Sequence, residues 1–283
     1  MTVEQKLMQK AGAMLQERGQ AAVELARLTV LKEQIGYAPL QDALRYFIEG
    51  WNDVLHPALV TFACEAVGSK PETTTKAGAA LVLLAGGADI HDDVIDGSLT
   101  KGSAQTIFGK FGKDLAILAG DALLLQGIYL LHEACENLEV TKKKAILDLV
   151  KRAFFEISSA EAAEAGLRGK IDIPKQQYLD IIHHKVAAGE AAMRIGALIG
   201  DGTPEEVETL AQYGRVYGVL MSIRDEFVDV FELDELSNRV EKEVLPLPII
   251  VTLADDSKKH GLLQLIEGRI TEEKIEILCQ KTG

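Results

Sequence analysis

The sequence predicts an all-α protein, one large helical bundle with its site between helices. Three observations point there. Apolar residues recur at three- and four-residue spacing through 114–138 and 142–166, the signature of helices with a buried face, and 77–90 is a mostly apolar run without proline. No stretch sustains the strict apolar–polar alternation of a half-buried strand. Seven prolines in 283 residues and no Gly/Pro/Ser-rich linker leave the chain undivided, and 47% hydrophobic content suffices for one sizeable core, so a single domain over residues 1–283 is expected.

Residues 3–33 read as one or two amphipathic helices, and 38–50 as another. Gly50-Trp51-Asn52-Asp53 interrupts the chain before a helix entered by Pro57, a residue suited to a first helical turn. Gly68-Ser69-Lys70-Pro71-Glu72 marks a turn. The Ala-, Leu- and Gly-rich run from Ala77 to Ile90 then reads as a buried helix. Residues 97–112 contain four glycines and read as a loop with a short helix. Long helices follow over 114–138 and 142–166. Pro174 opens a helix around 178–198, Asp201-Gly202-Thr203-Pro204 starts one that runs to Asp229, and 262–280 forms the tail.

A formal charge of −13 argues against nucleic-acid binding and against an electrostatic grip on anionic membranes. Cys64, Cys135 and Cys279 are few, odd in number and far apart, which favours reduced thiols over a disulfide framework or a zinc site. The first residues lack the apolar core of a signal peptide, and Ala77–Ala88 is too short and Gly-interrupted to span a membrane. A cytoplasmic protein without a transmembrane segment is the expectation.

The chemistry concentrates at two acidic clusters. Asp92, Asp93 and Asp96 end the buried helix, with Asp92 and Asp96 four apart and so on one face. Carboxylates crowded there repel one another and resist desolvation, penalties that a hard, oxygen-seeking cation such as Mg²⁺ removes. Asp225, Glu226 and Asp229 repeat the i, i+1, i+4 spacing after another apolar helix. One acidic cluster at a helix end is usually a solvated surface; two of them suggest opposite walls of a cavity, gripping a metal–diphosphate.

Asp92-Asp93-Val94-Ile95-Asp96 is a full DDxxD motif, and the chain resembles the trans-polyprenyl diphosphate synthases, of the isoprenoid synthase fold. Pro57-Ala58-Leu59, Ala63 to Gly68, Ala119-Gly120-Asp121, Gly169-Lys170-Ile171-Asp172, Lys185 and Leu245-Pro246-Leu247-Pro248 extend the resemblance over 40–255. It implies a bundle with a central apolar cavity, and Mg²⁺-dependent condensation of an allylic prenyl diphosphate with isopentenyl diphosphate. Two or three Mg²⁺ ions with the substrate diphosphate would be held by Asp92, Asp93 and Asp96 on one side and by Asp225 with Asp229 on the other. Lys185 would contact pyrophosphate, and Lys242 matches a later family lysine. His91 reads equally as a packed histidine and as a base. The resemblance also implies a homodimer, or a heteromer with a catalytic homologue.

The departures gather around one substrate. The family's Gly-Lys-Arg segment is replaced by Asn52 to Pro57, leaving His56, and its Arg-Arg-Gly by Thr100-Lys101-Gly102, leaving Lys101. Fewer cations around one diphosphate weaken isopentenyl diphosphate binding, because charge-assisted contacts to phosphate are among the strongest available. A terpene cyclase, a prenyltransferase with another acceptor, and a regulatory subunit therefore stand as alternatives. Gly86, Gly87 and Ala88 precede the first motif where bulky family residues stop chain growth, so Gly87 and Ala88 either admit a long allylic tail or allow close helix packing.

Overall fold

The computed structural model describes residues 2–282, and helices dominate it. The chain divides into two compact units: residues up to Val150 together with Gly189–Gly214, and Lys151–Ala188 together with the chain from Arg215 onward.

The first unit begins with α1 (Val3–Leu31), opened by a reciprocal capping box: Gln5 N donates to Thr2 Oγ1 (3.1 Å) and Thr2 N to Gln5 Oε1 (2.9 Å). α2 (Ala38–Gly50) and α3 (Leu55–Ala66) follow, then a 3₁₀ turn over Pro71–Thr74. α3 begins two residues before Pro57 because Asp53 caps it: Asp53 Oδ1 accepts from Leu55 N (3.1 Å) and His56 N (3.2 Å). α4 (Thr75–Asp96) stops at Gly97, whose φ of 70° is the left-handed conformation that ends helices. The expected loop after it contains an antiparallel hairpin, β1 (Thr100–Lys101) with β2 (Ala104–Gln105), turning at Gly102, and then α5 (Ile107–Phe111). Two-residue strands are too short to show alternation, so sequence periodicity does not reveal them.

α6 (Lys113–Ala134) lies against α4, and small residues bring the two backbones together. A Cβ on Gly87 would stand 2.9 Å from Gly120 O, and one on Gly127 3.0 Å from Ala80 O. Ala79, Ala80, Leu83, Ile90, Ala116, Ala119 and Leu123 fill the buried seam. Among the described residues α6 is also the one helix long and apolar enough to cross a membrane by length and composition, a property expected of no segment. Its buried face packs on α4, while Leu118, Leu125, Ile128 and Tyr129 are exposed.

α7 (Val140–Ala165) contributes to both units. The helix expected over 178–198 is two helices, α8 (Lys175–Lys185) and α9 (Ala187–Ile199), broken at Val186 (φ −89°, ψ 15°). Val186 packs closely on Gly218 of α10 (Pro204–Phe231), where a Cβ on the glycine would lie 2.8 Å from the valine Cβ. α11 (Leu233–Lys242), α12 (Leu247–Leu253), α13 (Asp256–Ile266) and α14 (Glu272–Thr282) complete the chain. The second unit's core gathers Tyr178, Ile181, Ile182, Val230, Leu236, Ile249, Ile250, Leu253 and Leu262. Cys64 and Cys135 are buried free thiols, and the Cys279 side chain lies outside the described residues.

Candidate active site

The first acidic cluster occupies the C-terminal turns of α4, where the helix dipole is already negative and no basic residue stands in the last turn. Asp93 is only 4% exposed. Burial pushes its carboxyl up to about 6, with the Asp89 and Asp96 charges adding to the rise and Lys101 opposing it. Lys101 reaches back from β1, 2.6 Å from Asp89 Oδ1 and 2.9 Å from Asp93 Oδ1. Asp93 Oδ1 is thus a buried carboxylate oxygen whose countercharge is the Lys101 ammonium. Oxygen donors crowded at a negative helix end, one of them buried, are of the type a hard divalent cation takes. Asp92, Asp93 and Asp96 supply the donor chemistry Mg²⁺ takes, without converging into a metal cage in this arrangement. His91, between the acids in sequence, points its Nε2 at α6, 3.2 Å from Ile117 O and 3.3 Å from Asp121 Oδ1.

The second cluster ends α10 and is balanced differently. Asp225 is exposed beside Arg224, with Arg224 Nε donating to Asp225 Oδ1 at 3.0 Å. Glu226 is buried, and both its oxygens are engaged: Oε1 accepts from Tyr178 Oη (2.9 Å) and Arg239 Nη2 (3.0 Å), and Oε2 from Leu247 N (2.6 Å). Asp229 Oδ2 accepts from Arg239 Nη1 at 3.0 Å. Burial pushes the Asp229 carboxyl up to about 6 although Arg239 opposes the rise. For Arg239 itself burial disfavours the charge, but Glu226, Tyr178 and Asp229 outweigh it and hold the guanidinium above its ordinary value. Among the described residues no three His, Cys, Asp or Glu side chains gather into a metal cage. At this cluster Glu226 and Asp229 face a buried arginine, a poor fit for a metal.

The other expected contacts fall in varied places. Lys185 ends α8 and pairs with Glu161 (3.2 Å) and with Glu164, so it serves carboxylates of α7. His56 Nδ1 lies 2.7 Å from Asp53 Oδ2. Burial pulls the imidazole down, yet the Asp53 charge outweighs it and the net shift is upward. Lys101 is engaged with Asp89 and Asp93, as described. Lys242 is exposed at the end of α11. Gly87 is buried with Leu124 Cγ 2.8 Å from where its Cβ would be, so the space beside it holds α6 rather than a substrate tail. Ala88, part-buried, stands four residues before Asp92 and on its face. At the adjacent His183-His184, His184 Nδ1 meets Glu156 Oε1 at 2.9 Å, and both residues are exposed.

Sequence reasoning missed Asp89, Tyr178, Glu164 and Arg239. For Arg239 a signal existed: Leu233, Leu236 and Val240 mark the apolar stripe of a short amphipathic helix, and an arginine inside it must find buried acids.

The polyprenyl synthetase family profile matches residues 38–281. The chain belongs to the polyprenyl synthetase family. It is 26% identical over 246 residues to the short chain isoprenyl diphosphate synthase of Methanothermobacter thermautotrophicus, covering 83% of this chain and 75% of that protein. It is 29% identical over 230 residues to the geranylgeranyl diphosphate synthase of Sulfolobus acidocaldarius, with 78% and 70% covered. Among solved structures it resembles the geranylgeranyl pyrophosphate synthetase of Pyrococcus horikoshii, with a TM-score of 0.85 at 21% identity over 97% of this chain and 85% of that one. The polyprenyl synthetase chain is thus an all-α prenyltransferase of the polyprenyl diphosphate synthase kind.

Proposed function

We propose that this prenyltransferase ionises an allylic prenyl diphosphate in the presence of Mg²⁺ and condenses it with isopentenyl diphosphate. The observation that carries the reading is the first cluster: a DDxxD acid set at the negative end of α4, with Asp93 buried and only the half-exposed Lys101 as its countercharge. Asp92, Asp93 and Asp96 would hold the metal there, and Asp225 is the second-cluster acid best exposed to a cation. Bound Mg²⁺ supplies Lewis-acid stabilisation of the leaving diphosphate. Lys101 orients Asp89 and Asp93 and offsets their charge until a stronger cation arrives. Lys185, tied to Glu161 and Glu164, would turn to pyrophosphate only by leaving those acids.

Radiolabelled isopentenyl diphosphate, allylic diphosphates of increasing length and Mg²⁺ test the reading with purified protein. Labelled, extended prenyl diphosphate that disappears in Asp92→Ala supports it. Pyrophosphate released from the allylic substrate with no label incorporated favours a different acceptor. One observation leans toward that second reading: Asp53 and His56 are spent on each other and on capping α3, where the family resemblance expects cations for isopentenyl diphosphate.

We further propose a cytoplasmic homodimer acting as one catalytic domain per chain. The exposed stripe of α6, with Leu125 70% exposed, favours cover by a second copy. Sedimentation at micromolar concentration should give a dimer, and Leu125→Glu a monomer.

A further inference from the structure

Arg239 is the unexpected centre of the second unit. Its guanidinium uses its donors in five directions. Nε donates to Val244 O (2.6 Å), Nη1 to Asp229 Oδ2 (3.0 Å), and Nη2 to Tyr178 Oη (2.8 Å) and to both Glu226 oxygens (3.0 and 3.1 Å). Tyr178 Oη also lies 3.1 Å from Glu164 Oε1, and Glu164 receives Lys185. A continuous chain of charge and hydrogen bonds thus runs Lys185–Glu164–Tyr178–Glu226–Arg239–Asp229. It ties α7, α8, α10 and α11 to the first turn of α12 through Leu247 N.

The three acids of the second cluster stand in unequal positions. A metal reaching for Asp229 or Glu226 must first displace a guanidinium that is 10% exposed and always charged, leaving that charge buried without its partners. A metal reaching for Asp225 displaces only Arg224, an exposed pair 56% accessible on each side, which is held weakly. We infer that Arg239 is a resident cation in the second acidic cluster. It commits Glu226 and Asp229 to positioning the ends of α10 and α12, and leaves metal ligation in that cluster to Asp225 alone. Arg239 is a positioning residue, and Glu226 is its anchor. The inference rests on the metal–diphosphate reading proposed above.

The test counts Mn²⁺ bound to the full-length protein with inorganic pyrophosphate, by electron paramagnetic resonance, after thermal melts confirm folding. Asp225→Asn should weaken one Mn²⁺ site at least about tenfold, as losing a ligand or its support does, while Asp229→Asn stays within about twofold of wild type. A loss in Asp229→Asn as large as in Asp225→Asn overturns the inference, as does no loss in either. Folded Arg239→Met should take up one Mn²⁺ more than wild type, because the seat of the guanidinium falls vacant, and Arg239→Lys should restore the wild-type number. An unchanged number in folded Arg239→Met counts against it. Absence of Mn²⁺ uptake by wild type, or uptake indifferent to Asp92→Ala, overturns the broader metal–diphosphate reading and the inference with it.

Discussion

The two acidic clusters share a spacing and a place at a helix end, but their charges are balanced in opposite ways. At the end of α4 the countercharge is a half-exposed lysine reaching in from a hairpin to the buried Asp93. At the end of α10 the countercharge is a buried arginine with its donors taken up by carboxylates, a tyrosine and a carbonyl. In the first arrangement the lysine is half-exposed, so on leaving the acids its charge can go to water. In the second the countercharge cannot, because a guanidinium stripped of its partners in the interior has nowhere to place its charge. Identical motif spacing therefore does not imply identical chemistry.

Breaking the buried side should give the largest effect. Arg239→Met leaves Glu226 and Asp229 without their cation and is expected to destabilise the fold by about 3–5 kcal/mol, measured by urea unfolding. Next comes Asp92→Ala, expected to lower kcat by about 10²–10³-fold with little change in melting temperature, as for the loss of one group aimed at developing charge. If the melting temperature fell as far as in Arg239→Met, the two clusters would be alike after all.

The packing behind the first cluster sharpens the contrast. Gly87→Ala should raise helix propensity by about 1 kcal/mol, yet its Cβ would meet the Gly120 carbonyl at 2.9 Å. The net expectation is a loss of about 1–3 kcal/mol, since backbone must move to relieve it. In α1, Gly12 meets nothing within 4 Å, so Gly12→Ala should instead stabilise by about 0.5–1 kcal/mol.

A similarly small effect belongs to Lys101→Met, about 1 kcal/mol or less because the lysine is half-exposed, but it carries a pH signature. Asp93 in the fold titrates at about 6 against an ordinary 3.8. A raised pKa means that the folded state binds the proton more tightly, so the stability this group adds is fully present below pH 3.8 and lost as pH rises through about 6. Lys101 opposes the rise; removing it moves the Asp93 titration higher and extends the loss to higher pH. Carboxyl ¹³C NMR of Asp93 in both proteins checks the direction, and a downward move would contradict the assigned role of the lysine.

Much of this architecture was legible in the chain. Helical periodicity marked α2, α6, α7 and α10, and an apolar run marked α4, with small errors at their ends, because a buried stripe imposes its period directly on the sequence. The break at Val186 was not legible; the valine sits against Gly218, thirty-two positions on in the chain, a contact that no local pattern records. Nor was the hairpin that delivers Lys101, whose strands of two residues leave no pattern. The acids of the first motif were legible as a cluster by residue type and spacing. The pairings of Lys185 with Glu164, of His56 with Asp53 and of Asp229 with Arg239 were not, because each depends on where a side chain ends in space.

The sequence by itself determined the helical class, the family and the acidic character of both clusters, all of which follow from local period and residue chemistry. Only the tertiary structure decided which acids face a half-exposed lysine and which a buried arginine. That outcome depends on burial and on partners brought from other helices, and a linear pattern of carboxylates carries no record of either.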